Sequence, residues 1–189
     1  MIELINQIKA VYPSKDIDSC IERDTNEVFW IDEDDKIGKS FILRTLSNDE
    51  DEESVLKIIN TYKKELNLLC IDACIFSSSD GSRCDCAVFD DTKFCFCELK
   101  FNVTKQKNAT ENLSSARNRQ LDNTITILKS QLNFSLFQKL EAYVAMRKTL
   151  YPRSPARLSG IKTAFWDKHQ VEYFEEKEII FDTPLKKNL

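Results

Sequence analysis

Glycine is scarce in these 189 residues: only Gly38, Gly81 and Gly160 occur. They stand too far apart for a dinucleotide-binding turn or a phosphate-cradling P-loop, which need several glycines within a few residues. Histidine is scarcer still. With His169 alone, no site with two or more histidine ligands can be assembled within one chain, and a triad or HExxH arrangement would have to rest on that single ring. No apolar run approaches the roughly 18 residues of a membrane-spanning helix. The amino-terminal MIELINQIKA also lacks the basic-then-apolar build of a secretion signal. The expectation is a soluble, cytoplasmic chain with no membrane partner.

What is present suits one compact domain spanning 1–189. Domains run to about 100–200 residues, and a hydrophobic share of 42% can furnish a core. The seven cysteines are an odd number and, without an export signal, read as reduced thiols rather than a disulfide framework. The net charge of -4 hides an asymmetry: residues 1–60 carry 15 acidic against 7 basic side chains, residues 101–163 only 3 against 11. A basic stretch of that kind suits a polyanionic partner even in an acidic protein, and equally suits a solvated helix surface.

The pattern divides the chain into an accessory helix and hairpin (1–47), a core (48–148), and a closing helix and hairpin (149–189). Ile2 to Val11 has helical spacing and stops before Pro13. Glu27 to Asp32 and Phe41 to Leu46 read as strands around the turn Asp34 to Gly38. Ser47 or Asn48 can cap a helix that begins in the acidic run Asp49 to Glu53 and carries the stripe Val55, Ile59, Tyr62 and Leu66. Three strands are expected next, over Leu68 to Phe76, Arg83 to Phe89 and Phe94 to Phe101; the polar loop Asp90-Asp91-Thr92-Lys93 suits a hairpin between the last two. Leu113, Arg117, Leu121, Ile125, Leu128 and Leu132 then predict a helix of about six turns. A fourth strand over Leu140 to Met146, a helix over Ala156 to His169, and a hairpin of Val171 to Phe174 with Ile179 to Phe181 complete an α/β class with a mixed sheet flanked by helices.

Chemistry concentrates in Arg83-Cys84-Asp85-Cys86-Ala87-Val88-Phe89 and Phe94-Cys95-Phe96-Cys97-Glu98-Leu99-Lys100. If Phe89 faces Phe94, stepping back pairs Asp85 with Glu98, and strand alternation puts Lys100 on the same face. Like charges placed side by side are destabilising unless compensated. A divalent cation with a preference for hard oxygen ligands, Mg²⁺ or Mn²⁺, would relieve the cost. An adjacent ammonium can orient a water or offset charge on phosphorus. The same three residues equally fit an exposed hairpin face with a surface Glu-Lys pair.

An Asp on one strand, Glu-x-Lys on the next, then a long helix and a strand resemble the PD-(D/E)xK nuclease superfamily, the restriction-endonuclease-like fold, over roughly Asp49 to Arg147. The resemblance implies a core of helix, three strands, helix and strand, with Asp85, Glu98 and the Leu99 carbonyl on the metal and Lys100 assisting the nucleophile. Cys84 stands where the family often has Pro. Many members add an acid from the preceding helix, for which Glu52, Glu53 and Glu65 are candidates. Gln120 resembles a helix glutamine found near the metal in several branches, though Thr124 replaces the tyrosine that follows it there. Lys105, Lys107, Arg117 and Arg119 are candidate phosphate contacts.

Cys84, Cys86, Cys95 and Cys97 compete as a four-thiolate zinc site, yet mid-strand Cys-x-Cys spacing suits buried packing better than the turn-borne spacings of structural zinc. By strand alternation all four belong to the face opposite Asp85 and Glu98. Cys20, Cys70 and Cys74 read as packing too. His169 reads as core or surface filling, and Asp72 carries no assignment. The expected function is a metal-dependent nuclease acting on phosphodiester bonds, most simply in DNA and in a defence or DNA-processing setting, as a homodimer or within a larger complex. Its competitors are a catalytically silent nuclease-fold adaptor in a nucleic-acid-handling assembly and a zinc-stabilised interaction domain.

Overall fold

The computed structural model describes residues 2–34, 36–47, 51–76, 80–151 and 155–184. Helix α1 (Ile2–Val11) buries Leu4, Ile5 and Ile8, the face that its spacing predicts. After β1 (Ile21–Asp24), strands β2 (Val28–Asp34) and β3 (Lys39–Leu43) make the expected antiparallel hairpin with Ile31 opposite Ile42. Gly38 takes φ 63° in its turn, a region side-chain-bearing residues seldom enter.

Strands β5 (Leu66–Cys70), β6 (Cys86–Phe89) and β7 (Lys93–Leu99) form an antiparallel meander. The chain then crosses over a helical layer and returns as β8 (Lys139–Ala145), parallel to β7. A parallel return needs a connection of a dozen or more residues, which the long helix supplies. Helix α4 (Pro155–His169) makes the next crossover, to β9 (Glu172–Phe174), parallel to β8. With β1 on β5, the larger sheet runs β1-β5-β6-β7-β8-β9.

A smaller sheet of order β10-β4-β2-β3 lies on its other face, with β4 (Leu56–Asn60) and β10 (Glu178–Phe181) in parallel. Alternate residues of the larger sheet therefore serve two cores. Ala87, Phe89, Phe94 and Phe96 pack against the helices, and Cys86, Val88, Cys95 and Cys97 pack against the smaller sheet. Burial on both faces is why these strands read as nearly continuous apolar runs. The class is α/β with mixed sheets.

Two of the expected elements do not form. The helix from the acidic run to Leu66 is a strand: a 3₁₀ turn at Glu52–Ser54 leads into β4, where Leu56, Ile58 and Asn60 are buried in alternation. Tyr62, which a helical stripe would bury, is 48% exposed. Lys63 turns the chain at φ 50°, and the pairing of Ile58 with Phe29 shows the tertiary contact that selects the strand. Asn48 and the beginning of the acidic run, Asp49 and Glu50, lie outside the described residues. The closing hairpin is also absent. β9 joins the larger sheet and β10 the smaller, because Tyr173 belongs to the helix-side core and Ile179 and Phe181 to the core between sheets.

The long helix forms, but in three parts: α2 (Gln106–Ser115), a π segment (Ala116–Leu121) and α3 (Asp122–Gln131). The Asp122 amide reaches the Arg117 carbonyl, five residues back. The wide turn shifts the buried stripe, so that Ala116 replaces Arg117 between Leu113 and Leu121. The first core strand stops at Cys70, and the amides of Ile71 and Asp72 both bond the Asp85 carbonyl, at 2.9 and 3.1 Å.

Candidate active site

β6 and β7 pair with Phe89 opposite Phe94 and Cys86 opposite Cys97. One step beyond the ladder, Asp85 lies beside Glu98, and Asp85 Oδ2 accepts the Leu99 amide at 2.5 Å. Asp90 fixes this register by accepting the Thr92 and Lys93 amides at 2.6 and 2.8 Å. Lys100 is held from the other side: its amide donates to the Ala145 carbonyl at 2.7 Å, extending the β7–β8 ladder. Its ammonium forms an ion pair with Glu98 Oε1. Asp85, Glu98 and Lys100 thus converge.

Burial dominates the electrostatics of the group. Glu98 is wholly buried, and its Oε2 has no hydrogen-bond partner among the described residues. Burial, reinforced by the charge of Asp85, pushes the Glu98 carboxyl well above the ordinary range, with Lys100 opposing. Burial and the charge of Glu33 push Asp85 up to about 7, against the pull of the Leu99 amide and Lys100. For Lys100, burial works against the charged form but is outweighed by Glu98, Asp85 and Glu33, so its ammonium is held above the usual range. Two carboxyls forced upward side by side are what a bound divalent cation would relieve.

Glu33 is the residue that the sequence concealed. It lies on β2 of the smaller sheet, and with Asp32, Ser54, Leu99, Phe101 and Asn102 it lines a cleft of about 240 Å³. Leu99 connects cleft and carboxylates; Asp85 and Glu98 do not themselves line the cleft. The three candidates for one additional acid are engaged elsewhere: Glu52 with Lys57 at 3.1 Å, Glu53 with Lys177 at 2.7 Å, and Glu65 with Arg23 at 3.8 Å. Asp72 pairs with Arg83 at 2.5 Å, and its charge is one of those raising Asp85.

The π segment and the first turn of α3 dock on the approach to Asp85. Gln120 Nε2 donates to the Arg83 carbonyl at 3.3 Å, and Thr124 Oγ1 accepts the Cys84 amide at 2.8 Å. Both bonds hold the backbone before Asp85. Lys105, Lys107 and Arg119 are exposed. Arg117 is half-buried beneath α4, its guanidinium 5.8 Å from the Tyr173 ring centre.

The four strand cysteines do not share a face. Cys86, Cys95 and Cys97 lie between the sheets, while Cys84 precedes β6 and packs on the helix side. Burial raises Cys84, Cys95 and Cys97 well above the usual thiol range, so they pack as neutral thiols. Among the described residues, no group of three or more His, Cys, Asp or Glu side chains is arranged to hold a metal. No described helix is long and apolar enough to cross a membrane. No protein family, curated protein or solved structure matches the chain.

Proposed function

We propose that the chain is a metal-dependent nuclease of the restriction-endonuclease-like fold, hydrolysing phosphodiester bonds in DNA with Mg²⁺ or Mn²⁺. One observation carries this reading: a wholly buried Glu98 with an unpartnered Oε2 beside Asp85, at a strand end that also holds the Lys100 ammonium. An orphaned buried carboxylate oxygen is costly unless something outside the chain completes it. Two carboxylates and a backbone carbonyl fit Mg²⁺, which takes few protein ligands and keeps several waters.

Asp85, Glu98 and the Leu99 carbonyl would hold the cation, which when bound supplies Lewis-acid polarisation of the phosphate. Lys100 would hold and orient the attacking water and balance charge developing on the phosphoryl oxygens. Gln120 acts at one remove, as a positioning residue bonded to the backbone of Arg83. Lys105, Lys107 and Arg119 are the exposed cations available to backbone phosphates. The antiparallel β5–β6–β7 meander with its helical return to a parallel β8 supports the fold reading. The helix expected before the meander is replaced by β4, and α1 supplies a helix to that layer instead.

The test is incubation of the purified chain with plasmid, linear and single-stranded DNA, and with RNA, with Mg²⁺, Mn²⁺ or chelator. Cutting of DNA that needs the metal and disappears in Asp85→Ala and Lys100→Ala supports the proposal. Metal-independent silence of a folded protein that co-purifies with a stable partner supports the adaptor reading.

A further inference from the structure

A second cluster lies away from the carboxylates, between the π segment and α4. Arg117, Asn118 and Asp122 face Phe165, Lys168 and His169 across a pocket of about 320 Å³, within the roughly 300–1,000 Å³ of small-ligand sites. The wide π turn puts Arg117 here rather than on the buried stripe its spacing predicts; such turns recur at functional sites. Its guanidinium is fixed on two sides, by the Tyr173 ring and by Nε donating to Asn118 Oδ1 at 2.9 Å. Its Nη1 is buried and, among the described residues, has no acceptor.

Among the described residues that line the pocket Asp122 is the only acid, and it is already shared. Its Oδ1 accepts from both Lys168 and His169, the latter at 2.8 Å. Burial would raise the Asp122 carboxyl, but those two bonds hold it below the usual range. Two permanent cations therefore face one carboxylate, and the Arg117 guanidinium keeps an unused donor at Nη1, the kind of group with which arginine grips oxyanions. Ile161 and Phe165 add an apolar wall beside it, suited to a sugar or base carried by the anion.

We infer that this pocket binds a phosphate group, with the Arg117 guanidinium as its principal donor and Lys168 as its second cation. The phosphate belongs to a nucleotide or a nucleic-acid strand, either as a terminal monoester or as a backbone diester. That assignment of source rests on the nuclease reading; the phosphate site itself does not.

Because His169 is the chain's single histidine, its ring gives one unambiguous NMR signal inside the pocket. The full chain is titrated with inorganic phosphate against chloride at matched ionic strength. The expected result is a saturable shift of the His169 ring and of the Arg117 Nε–H signal, with the midpoint weakened at least tenfold in Arg117→Lys and several-fold in Lys168→Gln. Lys168 is exposed, so the second variant tests the site even if Arg117 proves necessary for folding. Equal shifts with chloride, or unchanged midpoints in both variants, overturn the site. Short oligonucleotides with a 5′-phosphate or a 5′-hydroxyl then identify the source. Tighter binding of the phosphorylated strand assigns the terminal monoester, and equal binding assigns the diester. No shift with either, where inorganic phosphate binds, overturns the nucleic-acid assignment. No readout involves cleavage, so failure here and failure of the nuclease proposal remain distinguishable.

Discussion

Asp85 reaches across from β6 to accept the amide of Leu99 at 2.5 Å, which fixes its carboxyl beside the wholly buried Glu98. The two acids are held together by backbone geometry, against their mutual repulsion.

That arrangement has a pH signature. A carboxyl whose folded pKa is raised from 3.8 to about 7 binds more protons folded than unfolded between those values. Stability therefore falls as pH rises through that window and stays low above it. Asp85→Asn keeps an acceptor for the Leu99 amide and removes the charge. In chelator its unfolding free energy should exceed that of the unaltered chain by on the order of 4 kcal/mol at pH 8 and by little near pH 4, as read by urea denaturation. Equal stability of the two proteins at pH 8 would mean that Asp85 carries no such penalty.

Glu33 contributes to the same effect from the other sheet. Glu33→Gln should lower the titration midpoint of Asp85, followed by the carbon-13 signal of its carboxyl. A midpoint that does not move would separate the cleft from the carboxylates.

Thr124 bears on the site through the Cys84 amide. Thr124→Val leaves that buried N–H without its acceptor and should cost about 1–3 kcal/mol of unfolding free energy. Thr124→Ser should recover most of it, and catalytic loss in the valine variant should exceed that in the serine variant. Equal effects of both would assign the residue to packing alone.

With Cys84, Cys95 and Cys97 packed as neutral thiols, a zinc chelator should leave the melting temperature unchanged and elemental analysis should return no stoichiometric zinc. A structural zinc site would instead lose much of its folding free energy on chelation.

The core of the site was legible because its register is local. Phe89 and Phe94 flank a short polar loop, and counting back from them reaches Asp85 and Glu98 within one hairpin. β4 was not legible, since Val55, Ile59, Tyr62 and Leu66 satisfy a helical period while Leu56, Ile58 and Asn60 satisfy a strand period. Pairing with β2 and β10 decides between them. Glu33 was hidden for a related reason: it comes near Asp85 only through the packing of one sheet on another. The π turn leaves no periodic mark, so a regular helical period puts Arg117 on the buried stripe, whereas the structure has it beneath α4.

The most direct test of the central claim is Mn²⁺ binding by the intact chain, followed by electron paramagnetic resonance at pH 8. The proposed site predicts one ion per chain, weakened at least tenfold in Glu98→Gln and in Asp85→Asn with both variants still folded. Undiminished binding in both variants would contradict the assignment of the carboxylate pair as the metal site.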